Sequence, residues 1–222
     1  MKICMSNSQI SDLLIHQLNS LFSLDDSEKN AIEMSIPKAI VRCEKSFSRV
    51  KNKYYHDLGE AKFDPLHGCQ WAFFLYSISR LMYLAGESSI CDKVYALGRA
   101  LSGADLYYDV ELPEVFTFDH PLGAVMGRAH YSNYFSFGQG CTVGNNHGIY
   151  PSFGESVFML SDSKVIGDTT IGDNVIISAN AFVKDEVIPS GSIVFGQSPN
   201  LIVKEGKLDY VREYAESVFA YD

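Results

Sequence analysis

Positive charge is scarce in this sequence. Its 222 residues include 18 lysines and arginines against 27 aspartates and glutamates, which gives a formal net charge of −9 at pH 7. A nucleic-acid-binding protein needs clustered cations to neutralise phosphates, and no run of Lys or Arg in this chain is longer than a pair. The composition therefore argues against nucleic acid as a partner.

Cysteine is also sparse, odd in number and spread along the chain. A disulfide framework uses an even number of cysteines, and a structural zinc site uses closely spaced pairs, but no Cys-x-x-Cys pair occurs. We therefore expect reduced thiols and no metal site. The five cysteines are Cys4, Cys43, Cys69, Cys91 and Cys141.

Long apolar runs are missing as well. No segment approaches the roughly 18 continuous apolar residues of a membrane span, and the N-terminal residues lack the apolar stretch of a secretory signal. We expect a soluble, cytoplasmic protein without a membrane span. The hydrophobic fraction is nevertheless 46%, enough to fill the core of one large domain or two modest ones.

The first 103 residues have the apolar periodicity of helices. Pro37 lies inside the second helical pattern and should break or kink it near Ile36. The third pattern is apolar on nearly all sides, so it should form the centre of an all-helical N-terminal domain, residues 1–103. The expected helices cover 10–21, with Ser8 as a cap, 27–51, 66–84 and 88–101.

From residue 131 the period changes to six. A large residue recurs at every sixth position, with one slip in phase, and a glycine often follows it. Three such hexads make one triangular coil of a left-handed parallel β-helix, whose sixth residues stack in an apolar column. A β-sandwich is the alternative, but its turn signals about every 8–12 residues are absent. The eleven positions are Tyr131, Phe137, Val143, Phe153, Met159, Val165, Ile171, Ile177, Val183, Pro189 and Phe195.

These patterns predict an α+β chain of three parts. The β-helix follows the helical domain and covers residues 104–204. A short helix at 208–219 belongs to a C-terminal tail, 205–222, which we expect to cover the open end of the stack or a neighbouring subunit. The slip in phase adds four residues, so a loop should leave the coil at 144–151, and such loops often carry binding groups.

Three short motifs lie at 64–66 (Asp-Pro-Leu), 119–127 (Asp-His-Pro-Leu-Gly-Ala-Val-Met-Gly) and 139–144 (Gln-Gly-Cys-Thr-Val-Gly). In that order they resemble Thr-Pro-Leu, Asp-His-Ala-Thr-Gly-Ile-Val-Val-Gly and Gln-Ser-Val-Thr-Leu-Gly of the hexapeptide-repeat acyltransferases, most closely the serine acetyltransferases and related sugar O-acetyltransferases. The resemblance implies an acetyltransferase that moves an acetyl group from acetyl-CoA to a hydroxyl of a small acceptor. It also implies a homotrimer or a dimer of trimers.

His120 is the candidate general base. Acetyl transfer to an alcohol requires removal of the hydroxyl proton near neutral pH, and histidine, with an ordinary pKa of about 6.5, suits this step. Asp119 adjoins it, but neighbouring side chains of an extended chain point to opposite faces, so the two should not pair. The family pattern implies that Asp105 orients His120 while Asp119 holds the acceptor. The rival is covalent transfer through Cys141, whose place among small residues in the apolar column favours a buried, inert thiol.

The family pattern also places the acyl donor. The pantetheine arm of acetyl-CoA would lie along the later coils, facing His120 of a neighbouring subunit. The turn at 196–199, Gly-Gln-Ser-Pro, resembles the family's Gly-Val-Pro-Ala. Lys204 stands where a basic residue often meets the phosphates of coenzyme A, although a solvated lysine is an equal alternative. The implied donor-binding residues are Ser161, Ser178, Ala179, Gly196, Ser198 and Lys204.

The acceptor site departs from the family pattern. Serine acetyltransferases have Arg-His-Pro where this chain has Ile-Tyr-Pro at 149–151, so the cation that would bind a substrate carboxylate is missing. The candidate acceptor-binding residues are Asp64, His147 and Tyr150, and His147 or Arg128 is the candidate substitute for the missing pair. These features favour a sugar acceptor of surface-polysaccharide biosynthesis. The alternatives are a serine O-acetyltransferase of cysteine biosynthesis and a non-catalytic scaffold.

Overall fold

The chain comprises two units. The computed structural model describes residues 1–221, and internal contacts divide the chain into a first unit, 1–48 with 52–109, and a second unit, 49–51 with the chain from Val110 onward. Helices dominate the first unit and a parallel β-solenoid the second, which confirms the α+β prediction. The three-part domain boundaries stay a prediction. Within the described residues, no helix is long and apolar enough to cross a membrane.

The first unit contains the four expected helices and also four short strands, three of which form a small sheet that the all-helical expectation did not include. The third helix is its centre, as predicted, because Phe73, Phe74, Ile78 and Met82 of this helix are each at most 2% exposed. The elements are β1 (Lys2–Ile3), α1 (Asn7–Asn19), α2 (Asp26–Phe47), β2 (His56–Asp57), β3 (Glu60–Phe63), α3 (Gly68–Leu84), α4 (Ser88–Ser102) and β4 (Asp105–Leu106).

Two details of the helices differ from the prediction. The cap of α1 is Ser6 and not Ser8, because the side chains of Ser6 and Gln9 each bind the other's backbone N–H in a capping box. Pro37 lies within α2 without interrupting it. Pro37 removes one backbone hydrogen bond, and burial of Ile36 and its neighbours on the inner face of α2 outweighs that loss.

Glu28 connects the start of α2 to α4. Its carboxylate accepts hydrogen bonds from Lys93 Nζ at 2.6 Å, from Ser89 Oγ at 2.9 Å and from the Asp25 backbone N–H at 3.1 Å. The hydrogen bond from Lys93 is the largest cause of a Glu28 pKa below its usual range. The side chain is only 11% exposed, so solvent screens this interaction less than at an open surface.

We expect Glu28→Gln to reduce the free energy of unfolding by about 1–2 kcal/mol at neutral pH, because a charge-assisted hydrogen bond is lost. The folded-state pKa of Glu28 is lowered, so its stabilisation is present above the ordinary carboxyl pKa and disappears as pH falls through the lowered value. Urea unfolding at neutral and at acidic pH measures this, with exposed Glu33→Gln as the control. If Glu28→Gln lost the same unfolding free energy at both pH values, the stabilisation by Glu28 would not come from its charge.

The second unit is a solenoid of about five turns followed by one helix. Its strands are two to five residues long; each strand from β5 to β17 forms one side of a coil, and β18 pairs antiparallel with β17. The elements are β5 (Phe116–Phe118), β6 (Val125–Met126), β7 (His130–Tyr131), β8 (Phe135–Phe137), β9 (Thr142–Gly144), β10 (Ser152–Phe153), β11 (Val157–Met159), β12 (Lys164–Ile166), β13 (Thr170–Ile171), β14 (Val175–Ile177), β15 (Phe182–Lys184), β16 (Val187–Ile188), β17 (Ile193–Gln197), β18 (Asn200–Lys204) and α5 (Leu208–Val218).

From β5 to β17, strands at equivalent positions of successive coils pair in parallel, which gives three ladders. The first ladder is β5-β8-β11-β14-β17, the second is β6-β9-β12-β15, and the third is β7-β10-β13-β16. The corners after the three ladders stack into edges, termed here the first, second and third edge. Every predicted catalytic, acceptor-binding or donor-binding residue of the second unit lies on one of these edges or in the hairpin of β17 and β18.

The predicted inward column is confirmed from Tyr131 to Val183, where its members are at most 7% exposed. Beyond Val183 the prediction was wrong by one residue. Ile188 and Val194 point inward, because they pair with the inward residues of the preceding coil, and their neighbours Pro189 and Phe195 lie outside the column. A shift of one residue exchanges the inner and outer faces of a strand.

The C-terminal helix α5 packs on a lateral face of the solenoid. The ring of Phe158, which points outward from the first ladder, lies 5.1 Å from that of Tyr214 and 6.1 Å from that of Phe219. Phe219 is fully buried, and Ile176 on the next strand is only 4% exposed. The helix therefore covers apolar surface of its own coil, so the expected position over the open end or on a neighbouring subunit is corrected.

Candidate functional site

The first edge brings His120 together with several of the predicted donor-binding residues. Backbone hydrogen bonds connect each corner to the next, for example from Asp162 N–H to the Gln139 carbonyl at 2.8 Å and from Asn180 N–H to the Ser161 carbonyl at 3.0 Å. One chain therefore presents these corners in a continuous line. The stacked corners are residues 119–123, 138–140, 160–162 and 178–180.

His120 occupies a tight turn at the start of this edge. Its φ of 47° lies in the left-handed region that non-glycine residues rarely adopt, and the Leu122 N–H donates to its carbonyl at 2.7 Å. Its side chain is exposed, and within the described residues of its own unit the imidazole has no hydrogen-bond partner. Both ring nitrogens are thus accessible for proton exchange with a bound substrate.

Asp119 is exposed beside His120 and lies near α5. Burial, and after it the negative charge of Asp119, raises the pKa of Tyr214 on α5. The carboxylate and the phenol are therefore close enough to interact, so α5 borders the first edge. An exposed carboxylate at this position can bind a cationic group of an acceptor.

Asp105 lies in the first unit and is held there by two side chains. The Tyr95 hydroxyl donates to Oδ1 at 2.6 Å, and Arg99 Nε lies 3.8 Å from Oδ2. Burial and the hydrogen bond to Asp105 raise the pKa of Tyr95 to about 12, so the phenol stays protonated and remains a donor. The orienting role of Asp105 toward His120 stays a prediction.

Asp64, also in the first unit, has a structural use. Its Oδ1 accepts the Leu66 N–H at 3.0 Å, and Oδ2 lies 3.4 Å from Lys62 Nζ. These contacts stabilise the turn that precedes α3. The acceptor-binding role of Asp64 stays a prediction.

The predicted loop is present and forms a short hairpin at the second edge. Asn146 and Ile149 exchange backbone hydrogen bonds of 3.0 Å, while His147 and Gly148 have φ of 52° and 81°. Two consecutive residues with positive φ are typical of a tight two-residue hairpin turn. The Asn146 side chain donates to Asp185 at 2.9 Å and fixes the hairpin on a later coil.

His147 and Tyr150 are both exposed on this hairpin. Within one chain they lie on a different edge from His120, because the hairpin follows the second ladder and His120 follows the first. The structure of one chain therefore does not bring these candidate acceptor residues to the candidate base.

The predicted donor-binding residues Ser161, Ser178 and Ala179 lie on the first edge with His120. Coils repeat at about 4.8 Å, so Ala179, three coils from His120, is about 14 Å along the edge. The family resemblance implied that these groups face each other across two subunits. One chain already presents them on the same edge, and the arrangement across subunits stays a prediction.

Small residues recur at successive corners of the first edge, next to larger side chains such as Leu122, Gln139 and Asp162, and form a narrow strip. A Cβ added to Gly138 would still lie 3.6 Å from the Ser161 backbone nitrogen, an ordinary contact distance. The side chains at Ser161, Ser178 and Ala179 are no larger than serine. This strip can accommodate a thin, extended ligand arm such as pantetheine.

A row of outward side chains from the second ladder lies beside the strip and was not predicted from the sequence. Strand pairing aligns the row. Lys164 is exposed, and its Nζ donates to the Asp162 carbonyl at 3.0 Å, so it contributes a cation near the first edge. The row could have been predicted from the repeat, because each of its residues directly precedes an inward residue and must therefore point outward. The row is Val125, Thr142, Lys164 and Phe182.

The closing turn is the hairpin of β17 and β18. Gly196 has a φ of 83°, and the Ser198 hydroxyl accepts the Lys184 N–H at 3.0 Å, so the chain itself uses this hydroxyl. Lys204 is exposed, with Nζ 5.1 Å from the centre of the Phe195 ring. Of these predicted donor-binding groups, the Lys204 ammonium is the one open to a ligand phosphate.

Cys141 is fully buried, as predicted. Its Sγ contacts the carbonyl oxygens of Leu160 at 3.2 Å and Met159 at 3.4 Å. A thiol enclosed in this way cannot reach a substrate thioester, so the geometry disfavours covalent transfer. All five cysteines are free, and no three His, Cys, Asp or Glu side chains in residues 1–221 are grouped to hold a metal ion.

Comparisons with known proteins agree on one class. No family model matches the sequence. The serine acetyltransferase of Staphylococcus epidermidis is 27% identical over 152 residues, 61% of this chain and 66% of that protein. That of Helicobacter pylori is 25% identical over 142 residues, 60% of this chain and 81% of the relative. The chain thus spans slightly less than two thirds of the staphylococcal relative it matches.

Solved structures show the same fold over more of the chain. The serine acetyltransferase of Neisseria gonorrhoeae has a TM-score of 0.70 at 20% identity, covering 94% of this chain and 84% of that one. A serine acetyltransferase in complex with CoA has a TM-score of 0.69 at 18% identity, covering 89% and 84%.

The fold and the first edge resemble those of the hexapeptide-repeat acyltransferases. Within that class the chain is similar to the serine acetyltransferases, which confirms the resemblance found in its motifs.

Proposed function

We propose that this protein is an acetyl-CoA-dependent serine O-acetyltransferase. The observation that carries the proposal is the first edge, where an exposed histidine in an acyltransferase-like motif stands at the head of a strip of small residues. Serine takes precedence over the sugar acceptor that the sequence favoured, because proteins named serine acetyltransferase match both the sequence and the fold. The expected cytoplasmic location is part of this proposal.

His120 acts as general base in this mechanism. The donor supplies an activated thioester, and the exposed imidazole takes the proton of the acceptor hydroxyl as its oxygen attacks the thioester carbonyl. The resulting imidazolium then gives its proton to the departing sulfur. Asp119 binds the ammonium group of serine, and Asp105 orients the imidazole.

The donor lies along the strip of small residues, with Lys164 and Lys204 toward its phosphates. In a homotrimer, the His147 and Tyr150 hairpin of one subunit approaches the first edge of another and completes the acceptor site. Cyclic symmetry then makes the sites equivalent. This proposal accounts for the separation of the two sets of residues on different edges of one chain.

A sugar hydroxyl is the second candidate acceptor. The observation that favours it is the hairpin, where Ile149 and Tyr150 are exposed and stand in place of the family's arginine and histidine. An aromatic and apolar surface suits a sugar ring better than a carboxylate.

We expect the purified protein to release coenzyme A thiol from acetyl-CoA when L-serine is present, and not without an acceptor. The measurement follows free thiol with L-serine, a panel of sugars and no acceptor. If coenzyme A thiol is released with a sugar but not with L-serine, the acceptor is the second candidate, a sugar hydroxyl. If no acceptor supports release and calorimetry detects no binding at about millimolar acetyl-CoA, far weaker than typical KM values, the protein is a non-catalytic scaffold.

A further inference from the structure

A polar cleft lies between α5 and the third edge, away from His120. Its volume is about 230 Å³. The corners behind it are stacked by hydrogen bonds from Ser156 N–H to the Asn133 carbonyl at 3.1 Å and from Asn174 N–H to the Glu155 carbonyl at 2.7 Å. The polar side chains that line it are Glu155, Ser156, Asn174, Arg212, Glu216 and Tyr221.

The cleft contains both signs of charge without an ion pair. Arg212 and Glu216 are one turn apart on α5, and Glu155 lines the opposite wall. In the described part of the chain, Arg212 forms no ion pair within 4 Å, and neither carboxylate is paired. The three charged groups are therefore available to a ligand in the space between them.

The two ends of the cleft have opposite character. α5 starts at the last coil, where Lys207 N–H donates to the Gly191 carbonyl at 2.8 Å, and it runs back toward earlier coils. Arg212 is therefore nearer the coil of Asn174, and Glu216 is nearer the coil of Glu155. The helical rise separates the two α5 residues by about 6 Å, close to the spacing of one coil.

Tyr221 closes one side of this space. Its hydroxyl lies 2.9 Å from Ser156 Oγ, and its ring packs 4.3 Å from that of Tyr134. Burial raises the pKa of Tyr221, so the hydroxyl is neutral and adds no third negative charge. The segment after α5 is thus part of the wall of the cleft.

We propose that this cleft binds the zwitterion of a free α-amino acid. Its carboxylate would bind Arg212 and Asn174, and its ammonium group would bind Glu216 and Glu155. A simple anion would meet two carboxylates and a simple cation would meet Arg212, whereas a zwitterion satisfies both ends. Sites for drug-sized ligands have volumes of about 300–1,000 Å³. The cleft is smaller than this, which argues against coenzyme A or a nucleotide as its ligand.

Calorimetry of the full chain with glycine tests the proposal, because glycine carries both charges and no side chain. We expect saturable binding of glycine and none of acetate or methylamine at the same concentrations. Arg212→Gln should weaken glycine binding at least about tenfold, since it removes charge-assisted hydrogen bonds to the carboxylate. Lys207→Gln removes an exposed cation from the start of the same helix outside the cleft, and it should bind as the unchanged chain does.

Amide hydrogen exchange locates the site and separates it from the proposed acceptor site. Glycine should slow amide exchange in α5 to the same extent in the unchanged chain and in His120→Ala. It should not slow this exchange in Arg212→Gln, and an unfolding temperature equal to that of the unchanged chain shows that this variant is folded. Equal binding of acetate, or glycine binding that is insensitive to Arg212→Gln, would overturn the proposal. Because the cleft and His120 lie on different edges, absence of acetyltransfer would not alter these results.

Discussion

His120→Ala should lower the rate of acetyl transfer by about 10²–10⁴-fold, the usual cost of removing a general base. The acceptor hydroxyl must lose its proton as it attacks, and the exposed imidazole at the head of the first edge is the group proposed to take it. Affinity for acetyl-CoA should remain nearly unchanged, because the strip that would hold the donor extends over three further coils.

Thiol release and calorimetry on the same preparations measure the two quantities. His16→Ala is the matched control, since His16 is an exposed histidine of α1 in the other unit. Full activity of His120→Ala would place the base at His130 or His147. A parallel loss of donor affinity would mean that His120 holds the donor instead of moving a proton.

The repeat was visible in the sequence because a coil interior admits only apolar side chains at every sixth position. The error at the last turn has a local cause. Ile188 and Pro189 are both apolar, as are Val194 and Phe195, so the pattern offered two candidates at each step and no basis for choosing. Strand pairing with the preceding coil shows that Ile188 and Val194 are the inward residues.

The first coil was hidden for a different reason. Its inward residues Phe118 and Met126 pair with the second coil, but they are eight residues apart and fit no hexad. Without the register of the first coil, the sequence does not show whether the loop at 144–151 lies on the same edge as His120. The motif therefore made His120 the candidate base, while the separation of His147 and Tyr150 from it could not be predicted.

The sequence contains an indication that α5 packs on the first ladder. Val157, Phe158 and Met159 are consecutive large apolar residues, and all three are buried, although a coil strand buries only alternate residues in its interior. An apolar residue at the outward position indicates a covered face. The polar cleft beside α5 arises from this packing, so no single motif could have revealed it.

Gly154→Ala should cost about 3 kcal/mol of unfolding free energy, although it adds a single methyl group. A Cβ on Gly154 would lie 2.8 Å from the Asp173 nitrogen and 2.8 Å from the Gly172 carbonyl carbon, both backbone atoms of the next coil. Ladder hydrogen bonds fix the coils at about 4.8 Å, so the next coil cannot move away locally. The strain must spread along the stack or break pairing at this corner.

Gly138→Ala is a close control, because each of the two glycines follows an inward phenylalanine, Phe137 or Phe153. At Gly138 the added Cβ would find its nearest neighbour 3.6 Å away. This substitution should be neutral or stabilise by up to about 1 kcal/mol, since alanine restricts the unfolded chain. Urea unfolding of both variants measures the difference. Similar values for the two would mean that the coils can separate at a corner, so close contact between coils would not explain the glycines of the repeat.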